Sequence, residues 1–346
     1  MKSRISLRDR NNIKAYFKGK TILVTGGAGS IGSEIVREVL ECEPLVVRVF
    51  DNNETALFEL QQELNKENLR MFVGDIRDIE RCRRAVEDVD IVFHAAALKH
   101  VPLCEYNPFE AVKTNVLGTQ NIIEVSMDEE VEKMITISTD KAVNPTNVLG
   151  ATKLLGERLT TSANFYKGDR KTVLSCVRFG NVLCSRGSVA PIFKRQIESG
   201  GPVTITSPNM TRFVMSISEA VSLILKAAKM AEGGEIFILK MPAVRIKDLA
   251  RVMIQELAAK NGYDSKKIEL EIIGSRAGEK LYEELFTNDE AKMAYEKDDV
   301  FIMNSQDETQ QNNTLSKTGL KQYTSNSAPI LSEAEIKQLL VDVGLL

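Results

Sequence analysis

The sequence predicts a doubly wound α/β protein, a parallel sheet covered by helices on both faces, with a smaller C-terminal α/β lobe. Two observations carry this. From residue 20 onward, short apolar β-branched runs alternate with amphipathic stretches, and strands that are apolar throughout belong to sheets buried on both faces. A glycine cluster, Gly26-Gly27-Ala28-Gly29-Ser30-Ile31-Gly32, separates the first run from the first amphipathic stretch. The expected strands are KTILVT (20–25), PLVVRVF (44–50), LRMFVGD (69–75), DIVFHAA (90–96), EKMITIS (132–138) and TVLSCVRF (172–179). SEIVREVLE and ALFELQQELNKE read as helices between them, and a longer helix is expected over about 147–166. After about residue 185 the rhythm loosens. RGSV, SGGPVT and SPNMTR read as loops, while helices near 217–231 and 245–260 alternate with EIFIL and KIELEII. A polar segment, 304–326, reads as a mobile loop before a final helix, SEAEIKQLLVDV. The sheet is assigned to 1–185, with a short helical extension at 1–19, and the smaller lobe to 186–346, with some exchange of chain between them.

Composition narrows the function. The 346 residues are 43% hydrophobic and 27% charged with a net charge of −3, an ordinary balance that offers nucleic acid or a membrane surface no basic patch. Cys42, Cys82, Cys104, Cys176 and Cys184 lack metal-type spacing, and only His94 and His100 could join them, so no metal site is expected. The opening MKSRISLRDRNNIKAYFKGK has no apolar core of a signal peptide. No run approaches the roughly 18–20 apolar residues that span a bilayer. A cytoplasmic homo-oligomer without an integral membrane segment is expected.

The glycine cluster sits where a parallel sheet binds a dinucleotide. Gly26, Gly29 and Gly32 would permit a tight turn and close approach of backbone to pyrophosphate, and the following helix N-terminus, with Ser30 and Ile31, would stabilise its charge. Asp51 closes the second strand about twenty residues on. A carboxylate there accepts hydrogen bonds from a ribose 2′-hydroxyl and repels a 2′-phosphate, so this Rossmann-type arrangement favours NAD over NADP. Asp75, with Ile76 beside it, would suit the adenine, and Ala95 and Ala96 would let the cofactor lie close over the fourth strand.

Ligands bind beyond the carboxyl ends of such strands. The fifth ends Ser138-Thr139-Asp140-Lys141, and the next helix carries Leu149 and Lys153. Here the chain resembles the extended short-chain dehydrogenase/reductases, in which a Ser or Thr after strand five works with a Tyr-x-x-x-Lys helix. Lys153 is present, but Leu149 stands where the Tyr would be. An acid and a base side by side, Asp140 and Lys141, suit elimination of water instead. TDKAVNPTNVLGATK, with FHAAALKHVPLCEYNP upstream and SPNMTRF and RAGEKLYEEL downstream, resembles the nucleotide-sugar 4,6-dehydratases of polysaccharide biosynthesis, which act on UDP-N-acetylglucosamine. The likeness runs from about residue 10 to 303. That family includes members with Met in place of the Tyr.

The resemblance implies a mechanism and a partner, a UDP-sugar. NAD takes hydride from C4, with Thr139 and Lys153 orienting the group or relaying its proton. Lys141 removes the C5 proton, Asp140 protonates the departing C6 hydroxyl, and the hydride returns to C6. Lys99 is expected to supply the positive charge that lowers the Lys141 pKa. Lys99, His100, Asn181, Arg186, Ser188, Arg212 and Arg276 are the expected sugar-nucleotide contacts, with Glu279 orienting Arg276 and PVTIT (202–206) carrying the uracil on its backbone. Retention at C5 is expected, because the stretch from Lys14 to Glu34 resembles the catalytic part of long, membrane-anchored retaining enzymes. C5 inversion, a sugar-nucleotide 4-epimerase or reductase, and a non-catalytic NAD sensor remain as alternatives.

Overall fold

The computed structural model describes residues 7–276, 278–304 and 316–346. Its centre is six strands, β1 (Thr21–Thr25), β2 (Val46–Asp51), β3 (Leu69–Val73), β4 (Ile91–His94), β5 (Lys133–Thr139) and β6 (Val173–Phe179). Their ends lie within two residues of the runs read from the sequence. They pair in the order β3-β2-β1-β4-β5-β6, all parallel. β1 and β4 are neighbours although two strands separate them in sequence, so the connections part to either side there and open a crevice at the carboxyl edge. Ile22, Leu23, Val24, Ile91, Val92 and Phe93 are fully buried, which is why these segments are apolar without alternation.

The helices follow their apolar faces. Ser30–Leu40 buries Ile35, Val36 and Val39, and Glu54–Leu64 is capped by Asn53, whose side chain accepts from Ala56 N at 3.0 Å. Val148–Tyr166, the long helix expected, is capped by Asn147. The N-terminal helix, Leu7–Phe17, places Phe17 against Phe93 under the sheet.

The chain beyond β6 is more regular than its composition suggests. It contains β7 (Asn181–Val182), β8 (Val203–Ile205), β9 (Thr211–Met215), β10 (Glu235–Leu239), β11 (Ala243–Arg245), β12 (Leu270–Ile272), β13 (Glu284–Phe286), β14 (Ala294–Lys297), β15 (Val300–Asn304), β16 (Ser316–Lys317) and β17 (Tyr323–Thr324). β10 joins the main sheet parallel to β6, and β15, β14 and β16 extend it antiparallel. The sheet thus has ten strands, and the chain returns to it twice after leaving at residue 180. The small sheets β11-β9-β7 and β12-β8 make the second lobe, with helices Val189–Glu198, Ile246–Leu257 and Glu333–Asp342 around Phe193, Met253, Leu257 and Leu340. The pair β13-β17 packs Leu285, Phe286 and Tyr323 into the core of the main sheet. Two expectations change. SGGPVT and SPNMTR are not wholly loops, since β8 begins at Val203 and β9 at Thr211. Of the segment 304–326, residues 305–315 lie outside the described residues, while 316–317 and 323–324 are strand.

One buried ion cluster ties the lobes to the sheet. Arg178 on β6 is 1% exposed, and its guanidinium donates to both Glu157 oxygens at 2.9 and 2.6 Å. It also donates to Glu290 and to Leu285 O. Replacing Arg178 by Met leaves Glu157 buried and unpaired, which should lower the unfolding free energy by about 3–5 kcal/mol. Urea unfolding measures this, and the pair Glu157→Gln with Arg178→Met should recover part of the loss.

Candidate functional site

A cleft of about 820 Å³ opens at the carboxyl edge of the sheet. The glycine loop forms one end. Gly26 has a φ of +63°, and a Cβ there would stand 2.6 Å from Ala96 N, so only glycine lets the loop meet the end of β4. A Cβ on Gly32 would fall 2.2 Å from Gly26 O, which holds the helix N-terminus hard against the turn. Gly29, Ser30 and Ile31 complete this end, and Ala95 and Ala96, against Gly26, also line the cleft. Asp51 lines the same wall, where its Oδ2 accepts from Ala28 N at 3.0 Å and its Oδ1 from Asn53 N at 3.0 Å. Each oxygen retains a lone pair for another donor. Asp75 and Ile76 lie beyond it. The Asp75 carboxylate is gripped by Arg77 at 2.6 Å, which holds its pKa below the ordinary value.

β5 delivers the chemical groups. The strand runs out at Thr139, and a 3₁₀ turn, Asp140–Ala142, follows. Thr139 Oγ1 donates to Asp140 Oδ1 at 3.0 Å, and Lys141 Nζ donates to the same oxygen at 2.8 Å. Thr139 and Lys141 line the cleft, whereas Asp140 is wholly buried behind them. Its second oxygen, Oδ2, has no hydrogen-bond partner among the described residues. The helix after the turn can lie this close because a Cβ on Gly150 would be 2.3 Å from Lys141 O. Lys153, one turn on from Leu149, donates to Ile137 O at 2.5 Å, and burial lowers its pKa. Leu149 is 4% exposed and packs with Cys104 and Ala111, an apolar wall with no proton to give.

The opposite end carries the cations. Lys99, His100, Asn181, Arg186 and Ser188 all line the cleft. Arg186 N donates to Ser30 Oγ at 3.1 Å, so the loop after β7 reaches across to the glycine turn. Burial, and after it the charge of Arg186, lowers the Lys99 pKa. Asn181 Oδ1 and Ser188 Oγ are buried without partners among the described residues.

Three expected contacts lie elsewhere. Arg212 does not line the cleft; its donors go to Thr211 O, Leu281 O and Lys280 O, because the loop after Gly278 folds over it. Arg276 is exposed and also lies outside the lining, and Glu279 Oε2 accepts from Arg276 N at 3.1 Å. PVTIT forms β8, paired with β12 and away from the cleft. The cation that bears on Lys141 is Arg212, not Lys99.

Sequence reasoning missed Glu283. This carboxylate is 4% exposed and its Oε1 lies 3.5 Å from Lys141 Nζ. Burial acts to lower the Lys141 pKa, but Asp140 and Glu283 outweigh it and the net shift is upward. RAGEKLYEEL offers three acidic or basic positions besides Arg276 and Glu279, and nothing in the spacing says which one turns inward. Asn115 was missed as well. It sits in a π-helical turn, Lys113–Leu117, and its amide clamps Leu98 N and O at 2.8 and 3.1 Å, which fixes the backbone before Lys99. His94 is a framework residue: it bonds Thr25 and Thr119, and burial with nearby Lys153 depresses its pKa to about 3.

Comparison with known proteins places this geometry in a family. The family described as polysaccharide biosynthesis protein matches residues 22–305. The chain is 62% identical over 336 residues to the uncharacterized membrane protein MJ1061 of Methanocaldococcus jannaschii, covering 97% of this chain and 99% of that one. It is 39% identical over 338 residues to a UDP-N-acetylglucosamine 4,6-dehydratase (inverting) of Campylobacter jejuni, covering 94% and 98%. The X-ray structure of Pen from Bacillus thuringiensis superposes with a TM-score of 0.91 at 44% identity, over 96% of this chain and 99% of that one. Among the described residues, no helix is long and apolar enough to cross a membrane. The chain belongs to the polysaccharide biosynthesis protein family, within the extended short-chain dehydrogenase/reductases.

Proposed function

We propose that this protein is an NAD-dependent lyase that converts UDP-N-acetylglucosamine, or a close UDP-N-acetylhexosamine, to a UDP-4-keto-6-deoxy sugar with inversion at C5. The observation that carries the reading is the Thr139–Asp140–Lys141 cluster, hydrogen-bonded at the mouth of a cleft whose other wall is the glycine turn. The retention expected from the N-terminal resemblance gives way to inversion. That resemblance concerned part of a much longer protein, whereas the Campylobacter dehydratase named as inverting matches nearly end to end.

The residues present fit NAD. The space that Cβ atoms on Gly26 and Gly32 would fill is backbone closely packed around a helix N-terminus, which suits a pyrophosphate. Asp51 has acceptor capacity left for ribose hydroxyls. NAD held by the glycine turn and Asp51 would supply the hydride acceptance at C4 and its return at C6. Lys153 holds the ribose side of this centre, and Thr139 takes the proton of the C4 hydroxyl and passes it along its 3.0 Å bond to Asp140. Asp140, now an acid, delivers that proton by way of Thr139 to the departing C6 hydroxyl while Lys141, as an amine, removes the C5 proton. Lys99, Arg186, Asn181 and Ser188 face the diphosphate and sugar. Leu149 cannot act as a base, so the proton chemistry falls on the β5 cluster.

Incubation of the protein with UDP-N-acetylglucosamine should yield a product lighter by one water, with C5 inverted by NMR. An isobaric product would indicate an epimerase instead, and no product with NAD bound would indicate a sensor. Lys141→Met should slow turnover by roughly 10²–10⁴-fold and abolish C5 proton exchange while NAD remains bound; persistent exchange would rule out Lys141 as the base. Gly32→Ala should weaken NAD binding by about tenfold or more, a loss of roughly 1.4 kcal/mol, measured by calorimetry on the folded variant.

A further inference from the structure

Elimination by this cluster requires two protons to be placed before the C5–H bond breaks. One is the proton that makes Lys141 an ammonium, since a protonated lysine cannot act as a base. The other comes from the C4 hydroxyl and must be held ready for the C6 oxygen. Asp140 Oδ1 already meets both Thr139 and Lys141, but a single carboxylate cannot store both protons. A second acceptor has to reach Lys141.

Glu283 is placed to be that acceptor. Its backbone is fixed on both sides by Ser325: Glu283 N donates to Ser325 Oγ at 3.0 Å, and Ser325 N donates to Glu283 O at 2.8 Å. The segment before it is tied to the loop after the β5 cluster. Lys280 Nζ donates to Val143 O at 2.8 Å, and Gly278 O accepts from Thr146 Oγ1 and Asn147 Nδ2. These bonds aim the Glu283 carboxylate at Lys141, with Oε1 3.5 Å from Nζ. Oε2 is buried and has no hydrogen-bond partner among the described residues, so it can carry a proton at little cost in lost contacts.

We propose that Glu283 is a positioning residue that receives the Lys141 ammonium proton, so that Lys141 meets the sugar as an amine while Asp140 stays free for the proton from O4. This rests on the dehydratase reading above. In the transfer, an N–H bond of Lys141 breaks and an O–H bond of Glu283 forms, with the electron pair left on Nζ. That pair then takes the C5 proton. Inversion draws the new C5 proton from solvent on the other face, and Glu283 releases its stored proton to solvent, which restores the ammonium–carboxylate pair and closes the count. The charged groups facing Glu283 are Lys141 and Asp140 from the β5 turn, Arg212 from β9 and Lys280 from its own loop. Burial raises its pKa, Lys141 opposes this and Asp140 adds to it, and the net is upward, the direction a proton store requires.

Two measurements on Glu283→Gln test this. The first needs no substrate: the pH dependence of Lys141 acylation, read by mass spectrometry. Removing the carboxylate should move the pH profile of Lys141 labelling, and an unshifted profile overturns the contact whatever the protein's reaction. The second is wash-in of deuterium at C5 of the 4-keto product. It should slow about 10²-fold near neutral pH, recover as pH rises and solvent takes the lysine proton, and be partly restored in Glu283→Asp. NAD binding and KM should be unchanged. If Glu283 served only to hold charge, its loss would make Lys141 a better base, so exchange that is as fast or faster at neutral pH overturns the proposal. Failure of the wild type to dehydrate any UDP-N-acetylhexosamine would instead defeat the functional reading, with the labelling result still valid.

Discussion

A lysine ammonium held between two buried carboxylates is the interaction on which the cleft depends. Lys141 reaches Asp140 at 2.8 Å and Glu283 at 3.5 Å, and Arg212 lies 3.8 Å from the same Glu283 oxygen. Two anions and two cations in so small a space are tolerable because their charges cancel; removing one would leave another desolvated and unpaired. The arrangement therefore requires the β5 turn, β9 and the loop before β13 to stay in register. Much of the polar bonding around it serves that end. Arg212 spends its donors on carbonyls of the loop, Lys280 returns a bond to Val143, and Asn144, held at a φ of +44°, donates to Glu284.

The same logic operates one layer down. Lys153 and Glu157 stand one turn apart on the long helix, on one face. Lys153 looks into the cleft while Glu157 is paired with Arg178 on β6. Arg178 also binds Leu285 O, within the strand that carries Glu284, and Glu290 in the short helix after it. One buried guanidinium thus couples the helix bearing Lys153 to the segment bearing Glu283. A shift in either would disturb both, which is why a structural ion cluster this deep has a bearing on chemistry.

These features differ in how legible they were from the sequence. The six parallel strands were legible because burial on both faces forces continuous apolar runs, and the glycine turn because a φ of +63° and backbone-to-backbone approach admit little else. The β5 cluster was legible as adjacent residues of opposite charge at the end of a strand. The antiparallel extension by β14 and β15 was not, because Ala294–Lys297 carries only one buried position among its four. The inward positions of Arg212 and Glu283 were not legible for a common reason: each is one of several charged residues in its stretch, with nothing local to set it apart. Which of them faces inward is settled by the fold of the Gly278 loop, a long-range contact that leaves no local periodicity.

The cation-rich end of the cleft follows from the same electrostatics with the opposite sign. Lys99 and Arg186 are brought together without a carboxylate partner in the lining near them, and both burial and mutual repulsion disfavour the Lys99 ammonium. The bond from Arg186 N to Ser30 Oγ ties the loop after β7 to the glycine turn. A diphosphate placed there would favour the Lys99 ammonium and give Arg186 a counterion, and the partnerless oxygens of Asn181 and Ser188 would meet sugar hydroxyls. Under the proposed function, then, the catalytic end of the cleft is balanced before ligand arrives and the binding end is not. The unbalanced charge favours association with an anionic sugar nucleotide, while the balanced cluster keeps its protons until the sugar is in place.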